Sequence, residues 1–390
     1  MIAPEARDRL RLARAEGVGP VTFRRLLRRY GTAAAAIAAL PGLARAGGWA
    51  GASKVPTEAA VAREIEQVAR LGGRLLVLGA ADYPPLLRLL DDAPPVLAVL
   101  GDPAVLSLRA VALVGGRNAS ANGRRIAEDL GASLAAAGFA VVSGLARGVD
   151  AAAHRGAMAA GRTVAAIAGG LDQPYPPEHA DLQRQIAETG AVVAEAPLGV
   201  TPQARHFPRR NRIIAGLSLG VVVVEAAPHS GSLITARLAQ EAGRELFAVP
   251  GSPLDPRCRG SNDLIRQGAH LTETAADVLE NLPDHPLREG IARAPLFARG
   301  PAPEAPPGLG EPAREAAPIT EDPAEDPAET ARARSQLLDL LGPSPTSVDD
   351  LARRCQFSAA AMLAALLELE LGGLIETLPG NRVALLADAG

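Results

Sequence analysis

Lysine is almost missing from this chain of 390 residues, in which Lys54 is the only one and arginine supplies nearly all of the positive charge. The two cysteines, Cys258 and Cys355, lie far apart and provide neither a disulfide framework nor the paired spacing of a zinc site. No apolar run approaches the ~18 residues that a membrane-spanning helix needs, and the N-terminus lacks the apolar core of a signal peptide. We therefore expect a cytoplasmic protein without a membrane segment, a metal site or a cofactor.

Aromatic residues are also scarce, at 3% of the chain, and the formal net charge is −3. A net negative charge does not favour a polyanionic partner, so any nucleic-acid site has to come from local clusters of arginine. Each arginine carries a planar fork of donors that suits a phosphate group. Hydrophobic residues make up 48% of the chain, which is enough for a sizeable core. The length exceeds what one core usually organises, so two or three domains are expected.

The first two predicted domains differ in their apolar patterns. Residues 1–72 predict a small helical domain of the helix-hairpin-helix type, broken at the Gly-Val-Gly-Pro turn of residues 17–20. Residues 73–282 contain eight apolar runs, from RLLVLG to ELFAVPG, most of them separated by helical segments. Runs without alternation are typical of strands buried on both faces. This segment therefore predicts a Rossmann-like, doubly wound α/β domain with a mainly parallel sheet.

The C-terminal part begins with residues 283–330, whose proline, alanine and glutamate content predicts a disordered linker. Residues 331–390 show three helical patterns and two short strands around a Pro-Gly-Asn turn, the outline of a winged-helix domain. Its third helix, SAAAMLAALLELEL, carries Glu368 and Glu370 and no basic residue. A helix that recognises a DNA groove needs cations and amides, so this domain is expected to contact protein rather than DNA.

The N-terminal hairpin leaves two interpretations open. Its second helix carries Arg24, Arg25, Arg28 and Arg29. Helical hairpins of this kind can contact DNA phosphates, and they are also common packing units whose charges face solvent.

Three strand ends in the α/β segment carry residues of anion-binding turns. Such turns open helices at the edge of a parallel sheet, and helix N-termini favour anions. The first turn offers Gly115, Gly116, Arg117 and Ser120; the second offers Ser143, Gly144 and Arg147; the third offers Ser230, Gly231, Ser232 and Thr235. An NAD site is not expected, because the G-x-G-x-x-G pattern is missing and the second strand ends in serine instead of an acidic residue.

An arginine cluster opens the helix between the strands AVVAEAP and GVVVVEAA. Its members are Arg209, Arg210, Asn211 and Arg212. The three arginines cannot share one helical face, so we expect some to point into the crevice and others to form ion pairs, with Glu195 and Glu225 as candidate partners. Three anion-binding turns and this cluster exceed what one phosphate requires and favour a string of phosphates.

Acid–base chemistry has one candidate pair, Asp150 and His154, four positions apart on one predicted helix. With no nucleophile or third partner nearby in sequence, a structural contact that fixes the second turn is the preferred interpretation. Ser232 lies outside a G-x-S-x-G elbow, which argues against an esterase. No catalytic residue is expected.

Seven motifs in chain order resemble the DNA-processing protein A family, DprA or Smf, over roughly residues 80–280: VGGRNASANG, SGLARGVDAAAH, GGLDQPYPPEH, FPRRNRIIAGLS, VEAAPHSGSLITA, GRELFAVPGSP and GSNDLIRQGA. The resemblance implies a Rossmann-like core that binds single-stranded DNA through these turns, protects incoming DNA in natural transformation and helps to load the RecA recombinase. It also implies a homodimer through the Rossmann-like domain, with Leu264, Ile265 and Leu271 in the self-association region.

The chain departs from the family pattern at two places. Gly116 stands where the family often has a hydroxyl residue, and Pro177 and Glu178 stand where relatives can place a basic residue. The main alternative function is that of a Rossmann-like nucleotide phosphoribohydrolase, with Glu225 as its catalytic carboxylate. Those enzymes resemble one another through a PGGxGT-type turn, whereas this chain has PHSGS at the comparable strand end.

Overall fold

The structure, a computed structural model, describes residues 3–46, 54–283, 327–342, 344–355, 357–378 and 381–386. The predicted linker lies mostly outside the described residues, but residues 327–330 of that range belong to a helix that begins at Pro327. The chain divides into two compact units, Met1–Arg14 with Val55–Glu289 and Ala15–Lys54 with Gly290–Gly390. The predicted domain boundaries at residues 72, 282 and 330 stay predictions.

A nine-stranded sheet organises the first unit. Its strands are β1 (Gly73–Val77), β2 (Val96–Gly101), β3 (Ala110–Val114), β4 (Ala140–Ser143), β5 (Thr163–Ile167), β6 (Ala191–Ala194), β7 (Gly220–Val223), β8 (Glu245–Ala248) and β9 (His270–Leu271), in the spatial order β1-β2-β6-β5-β4-β3-β7-β8-β9. The strands from β6 to β9 in this order pair in parallel, whereas β2 is antiparallel to both β1 and β6. The mainly parallel α/β sheet is thereby confirmed. All eight apolar runs form strands, and β9 is an addition that the sequence pattern did not predict.

Helices cover both sides of this sheet and explain why its central strands are apolar throughout. The helices of the first unit are α1 (Pro4–Ala13), α4 (Glu58–Arg70), α5 (Ala121–Ala136), α6 (Val149–Met158), α7 (Ala180–Thr189), α8 (His206–Leu217), α9 (Gly231–Glu241), α10 (Arg259–Arg266) and α11 (Ala275–Glu280). One buried apolar cluster joins α5 and α6 to β3, β4, β7 and β8. A second cluster joins α7 to β1, β2, β5 and β6, and it includes Leu10, Val61 and Val68 of α1 and α4. These two N-terminal helices therefore pack with the sheet.

The strand order reverses at β3, which has β4 on one side and β7 on the other. In a doubly wound sheet, the loops that leave two such neighbouring strands diverge to opposite sides and open a crevice at their carboxyl ends. The loop after β3 leads into α5 and the loop after β7 leads into α9. This crevice is the place at which the first and third predicted turns meet.

The second unit contains a winged-helix fold, as predicted. Its elements are the hairpin helices α2 (Pro20–Tyr30) and α3 (Ala33–Ala46), the helices α12 (Pro327–Leu340), α13 (Val348–Arg354) and α14 (Ala359–Leu371), and the strands β10 (Thr346–Ser347), β11 (Ile375–Leu378) and β12 (Arg382–Leu385). The three strands form an antiparallel sheet in the order β10-β12-β11. Pro379 and Gly380 of the predicted turn lie outside the described residues.

None of the helices formed by the described residues is both long enough and apolar enough to span a membrane.

Candidate functional site

The first and third turns are joined by backbone at the crevice. The amide of Gly116 donates a hydrogen bond of 2.6 Å to the carbonyl of Glu225, immediately after β7. A side chain at Gly115 would meet Val149 at 2.6 Å, so only glycine allows this turn to pass so close to α6. The two glycines predicted to bind phosphate therefore also hold two strand ends together.

The carboxylate of Glu225 accepts two hydrogen bonds from Ser120. The Ser120 hydroxyl donates to one carboxylate oxygen at 2.5 Å, and its backbone amide donates to the other at 2.9 Å. The same hydroxyl accepts a hydrogen bond from the amide of Gly123 and so caps α5. Glu225 was one of two candidate ion-pair partners of the arginine cluster, but the first turn brings Ser120 to its carboxylate, and Arg212 pairs with Asp92 and Glu195 instead.

The second turn is organised by Asp150. The amides of Gly144 and Ala146 donate to its carboxylate at 3.1 and 3.3 Å. Asp150 thus fixes the turn as predicted, but the predicted partner was wrong. The Nδ1 atom of His154 instead lies 2.7 Å from the hydroxyl of Thr163, since the ring points toward β5.

Burial removes the Asp150 and His154 pair from acid–base chemistry. His154 is fully buried, and burial, followed by electrostatic interactions with Arg210, His179 and Arg155, lowers its pKa to about 3. Burial raises the pKa of Asp150, against the opposing charge of Arg210. Neither side chain has the access to solvent that a general acid or base needs. The structure favours the structural interpretation of this pair.

The arginine cluster separates into outward and inward side chains within one turn of α8. Arg209 is exposed, whereas Arg210 and Arg212 are each only 6% exposed. Arg210 donates to the carbonyls of Gly144 and Ala166, the second at 2.9 Å. Burial lowers the pKa of Arg210 to about 10, and the carboxylate of Asp150 acts in the opposite direction. Arg210 therefore joins α8 to the ends of β4 and β5.

Arg212 and Asn211 extend this internal framework. Arg212 donates to the carboxylate of Glu195 at 2.5 Å and to the carbonyl of Asp92 at 2.5 Å. The ion pair with Glu195 is one of the two that the sequence suggested. The amide of Asn211 donates to the carbonyl of Gly231 at 3.3 Å. Direct contact of these residues with a ligand stays a prediction that their burial does not favour.

Serine and threonine side chains also divide between the interior and the surface. Ser143 is fully buried and donates to the carbonyl of Leu113 at 2.6 Å. In the third turn, Ser232 and Thr235 are buried, and the hydroxyl of Ser232 lies 2.8 Å from that of Ser230, which caps α9. Gly231 is exposed, and apart from its chain neighbours and the backbone of its own helix, no described atom lies within 4 Å of the position that its Cβ would take. The third turn therefore offers an open helix N-terminus.

Two aromatic side chains complete the surface, and sequence analysis missed both. The guanidinium of Arg117 lies 5.3 Å from the ring centre of Phe207, and the ring of Tyr175 meets Phe207 edge-on at 5.6 Å. Tyr175 is 44% exposed. A signal was available, because Phe207 and Tyr175 are two of only ten aromatic residues and stand inside polar motifs. We call Arg117, Tyr175, Phe207 and Arg209 the arginine–aromatic surface.

One further cation, Arg147, lies on the exposed part of the second turn but is already paired. Its guanidinium contacts the carboxylate of Glu178, and both side chains are largely exposed. Glu178 is the residue that stands where relatives can place a base. The acidic residue at position 178 therefore neutralises the charge of Arg147.

The residues predicted for self-association lie at the β9 edge of the sheet. Leu264 is buried within the chain's own core, at 8% exposure. Ile265 is half-buried, and Leu271 is 51% exposed. Ile265 and Leu271 therefore leave apolar surface exposed on α10 and β9, whereas Leu264 of α10 packs inside the chain's own core.

In the part of the chain that the structure describes, no group of three or more His, Cys, Asp or Glu side chains could hold a metal ion.

Comparison with protein families gives three matches in chain order. Residues 74–283 match the model of DNA recombination-mediator protein A, residues 3–67 match a DprA-like N-terminal HHH domain, and residues 321–381 match a DprA winged helix domain. The matches therefore follow the order of a helical segment, an α/β sheet and a winged helix.

Individual relatives agree with these models. The chain is 39% identical to Protein Smf of Escherichia coli (strain K12) over 305 residues, which cover 78% of this chain and 75% of that protein. It is 43% identical to the DNA processing protein DprA of Bacillus subtilis (strain 168) over 215 residues, or 55% and 72% of the two chains. The X-ray structure of DprA from Streptococcus pneumoniae superposes with a TM-score of 0.55 at 39% identity, covering 59% of this chain and 80% of that one.

Proposed function

The chain belongs to the DNA recombination-mediator protein A family, and from this membership we propose that it binds single-stranded DNA as a non-enzymatic mediator of recombination. The observation that carries the proposal is the arginine–aromatic surface at the carboxyl edge of the sheet. There the guanidinium of Arg117 lies 5.3 Å from the ring centre of Phe207. Arg209 adds a second exposed cation on the helix that presents Phe207.

This combination of side chains suits an unpaired strand better than a duplex. Single-strand binding proteins stack bases on aromatic rings and place cations along the backbone. In a duplex the faces of the bases are covered by their neighbours, so Phe207 and Tyr175 would find only sugar and phosphate. The exposed N-terminus of α9 at Gly231 adds a further position for a phosphate group.

The buried polar residues have a supporting part in this proposal. Ser143, Asp150, Arg210 and Arg212 hydrogen-bond strand ends and turns to one another. Such a framework holds Arg117, Phe207 and Arg209 in place before DNA arrives, so less conformational freedom is lost on binding.

The alternative of a nucleotide phosphoribohydrolase finds less support. Its catalytic carboxylate would be Glu225, which is 7% exposed and accepts two hydrogen bonds from Ser120. A carboxylate held in this way is a structural link between the first and third turns.

The partners of the proposed function come from family membership. We propose that the chain protects incoming single-stranded DNA in natural transformation, helps to load the RecA recombinase and acts as a homodimer. The exposed Leu271 on the edge strand β9 supports the homodimer, because an open edge with apolar surface favours pairing with a second copy.

Fluorescence anisotropy with a labelled single strand and a duplex of the same length tests the proposal. Arg117→Ala should weaken single-strand binding and reduce the slope of log affinity against log salt by about 0.7, because one cation no longer neutralises a phosphate. Phe207→Ala should cost about 1 kcal/mol or more in stacking and leave that slope unchanged. Arg237→Ala, an exposed arginine near the other end of α9, is the control and should change neither. Unchanged binding in both test variants, or release of base from nucleotides by the wild-type protein, would contradict the proposal.

A further inference from the structure

The third helix of the winged-helix domain, α14, carries apolar residues on more than one face. One stripe, which includes Met362, Leu366 and Leu369, packs into the core of that domain. A second stripe of Ala364, Leu367 and Leu371 lies outside this cluster and is nevertheless buried, with at most 4% exposure. A helix that is apolar on two faces needs cover on both of them. The second stripe must therefore be covered by something other than the winged-helix core.

The cover comes from the N-terminal hairpin. Helix α14 packs against both α2 and α3, and all three helices belong to the same compact unit. A Cβ at Gly17, in the turn that precedes α2, would lie 3.8 Å from the carbonyl of Leu371. The apolar end of α14 thus lies beside the turn from which a helical hairpin offers its backbone to phosphate.

A polar contact fixes the alignment of the two helices. Thr22 of α2 is fully buried, and its hydroxyl donates to the carboxylate of Glu370 at 2.6 Å. A buried hydroxyl requires a partner, and Glu370 supplies it.

Charge complements this contact. Burial lowers the pKa of Arg25, and the carboxylate of Glu370 acts in the opposite direction by favouring the charged form. Glu368, the other glutamate of α14, lies 3.4 Å from Arg334 within the winged-helix domain. The two acidic residues therefore have different partners, and Glu370 is the one that faces the hairpin.

We propose that the protein partner of the winged-helix domain is the chain's own α2–α3 hairpin, docked through Ala364, Leu367, Glu370 and Leu371. In this arrangement Arg25 interacts with Glu370 across the contact between the helices. The contacting faces of α14 and of the hairpin are then buried and cannot bind another partner. The proposal does not depend on the DNA-binding function, because the contact is formed by the free protein.

Hydrogen–deuterium exchange on the full chain, without DNA, tests the docking. Leu367→Glu places a charge in the docked stripe, and we expect the amides of α2 to exchange about tenfold faster or more. Leu363→Glu is the matched control, since Leu363 lies on the same helix but is 45% exposed, and it should leave α2 unchanged. The amides of β11 and β12 should keep their protection in both variants, which shows that the winged-helix domain is folded.

A second variant keeps the test decisive if Leu367→Glu unfolds the domain. Glu370→Lys retains the apolar core and sets a cation against Arg25, so α2 should again exchange faster. Unchanged protection of α2 in the folded variants would overturn the proposal. Protection of α2 that rises with protein concentration would also overturn it, because the hairpin would then dock on a second copy.

Discussion

Glu178 holds the guanidinium of Arg147 in an exposed ion pair at the second turn. Exposed ion pairs contribute little to stability, so the main effect of Glu178 is on what Arg147 can bind. We expect Glu178→Gln to strengthen single-strand DNA binding. The substitution breaks the ion pair of Arg147 and removes one negative charge that would repel the phosphates of the DNA. The slope of log affinity against log salt should become steeper by about 0.7, the value of one added phosphate contact on a single strand.

The control for this prediction is Glu188→Gln on α7, which removes an exposed carboxylate that lies 3.9 Å from Arg184. Fluorescence anisotropy at two salt concentrations measures both variants. Equal affinities for Glu178→Gln and the wild-type protein at low salt would show that Arg147 does not reach the DNA.

Arg212 and Arg209 are three positions apart and should give opposite results when replaced. Arg212→Ala leaves the carboxylates of Glu195 and Asp92, both partly buried, without their cation. We expect a decrease of about 2 kcal/mol in the free energy of unfolding, the size typical of a hydrogen bond to a charged group. Arg209→Ala should keep the stability and weaken DNA binding, because its side chain is exposed.

Urea unfolding followed by circular dichroism, together with anisotropy under native conditions, separates the two effects. If the Arg212→Ala variant has wild-type stability and reduced DNA affinity, Arg212 contacts the DNA directly and our structural interpretation is wrong.

At the scale of secondary-structure elements, the proposed homodimer places β9 and the neighbouring helix α10 at the contact between two chains. Leu271 is 51% exposed on this strand, and Ile265 of α10 is half-buried. We expect Leu271→Lys to convert a dimer into a folded monomer, since a lysine on an edge strand opposes pairing. Its DNA affinity should fall as well, because two linked surfaces raise the effective concentration of the second contact.

Analytical ultracentrifugation at micromolar concentration measures this change. Leu254→Lys, at a position that is 89% exposed in the loop between β8 and α10, is the control. A wild-type protein that sediments as a monomer would contradict the homodimer itself.

At the scale of the whole molecule, the two units do not follow the order of the chain. Helices α1 and α4 pack with the sheet, whereas α2 and α3 belong with the winged-helix domain. Leu10, Val61 and Val68 supply part of the core beside β1 and β2. A truncated chain that begins at residue 73 would therefore lack part of the core of the sheet as well as the hairpin.

A chain that ends at residue 283 should retain most single-strand DNA binding, because the arginine–aromatic surface lies entirely in the first unit. Replacement of residues 15–54 by a short glycine linker is the matching deletion on the N-terminal side, and it keeps α1 and α4 in place. Anisotropy at one stated salt concentration compares the two with the full chain. Loss of binding on removal of residues 284–390 would show that the C-terminal part of the chain is needed for binding and would contradict this expectation.

Local sequence patterns were sufficient to predict strands β1 to β8, the winged-helix outline and the family. Eight continuous apolar runs became β1 to β8, since a strand covered on both faces has to be apolar at every position. The glycine and serine turns were also found from local patterns, because a helix N-terminus close to a strand end restricts which residues fit.

Tertiary packing, in contrast, was needed to learn which polar side chains face solvent and which helices meet. Helical periodicity predicts that Arg209 and Arg210 point in different directions. The way α8 packs on the sheet determines that Arg210 is the one that is buried. Likewise, the second apolar stripe of α14 shows that this helix needs cover, while the contact between Thr22 and Glu370 identifies the cover. Those two residues are 348 positions apart, and local sequence patterns do not encode contacts at such separations.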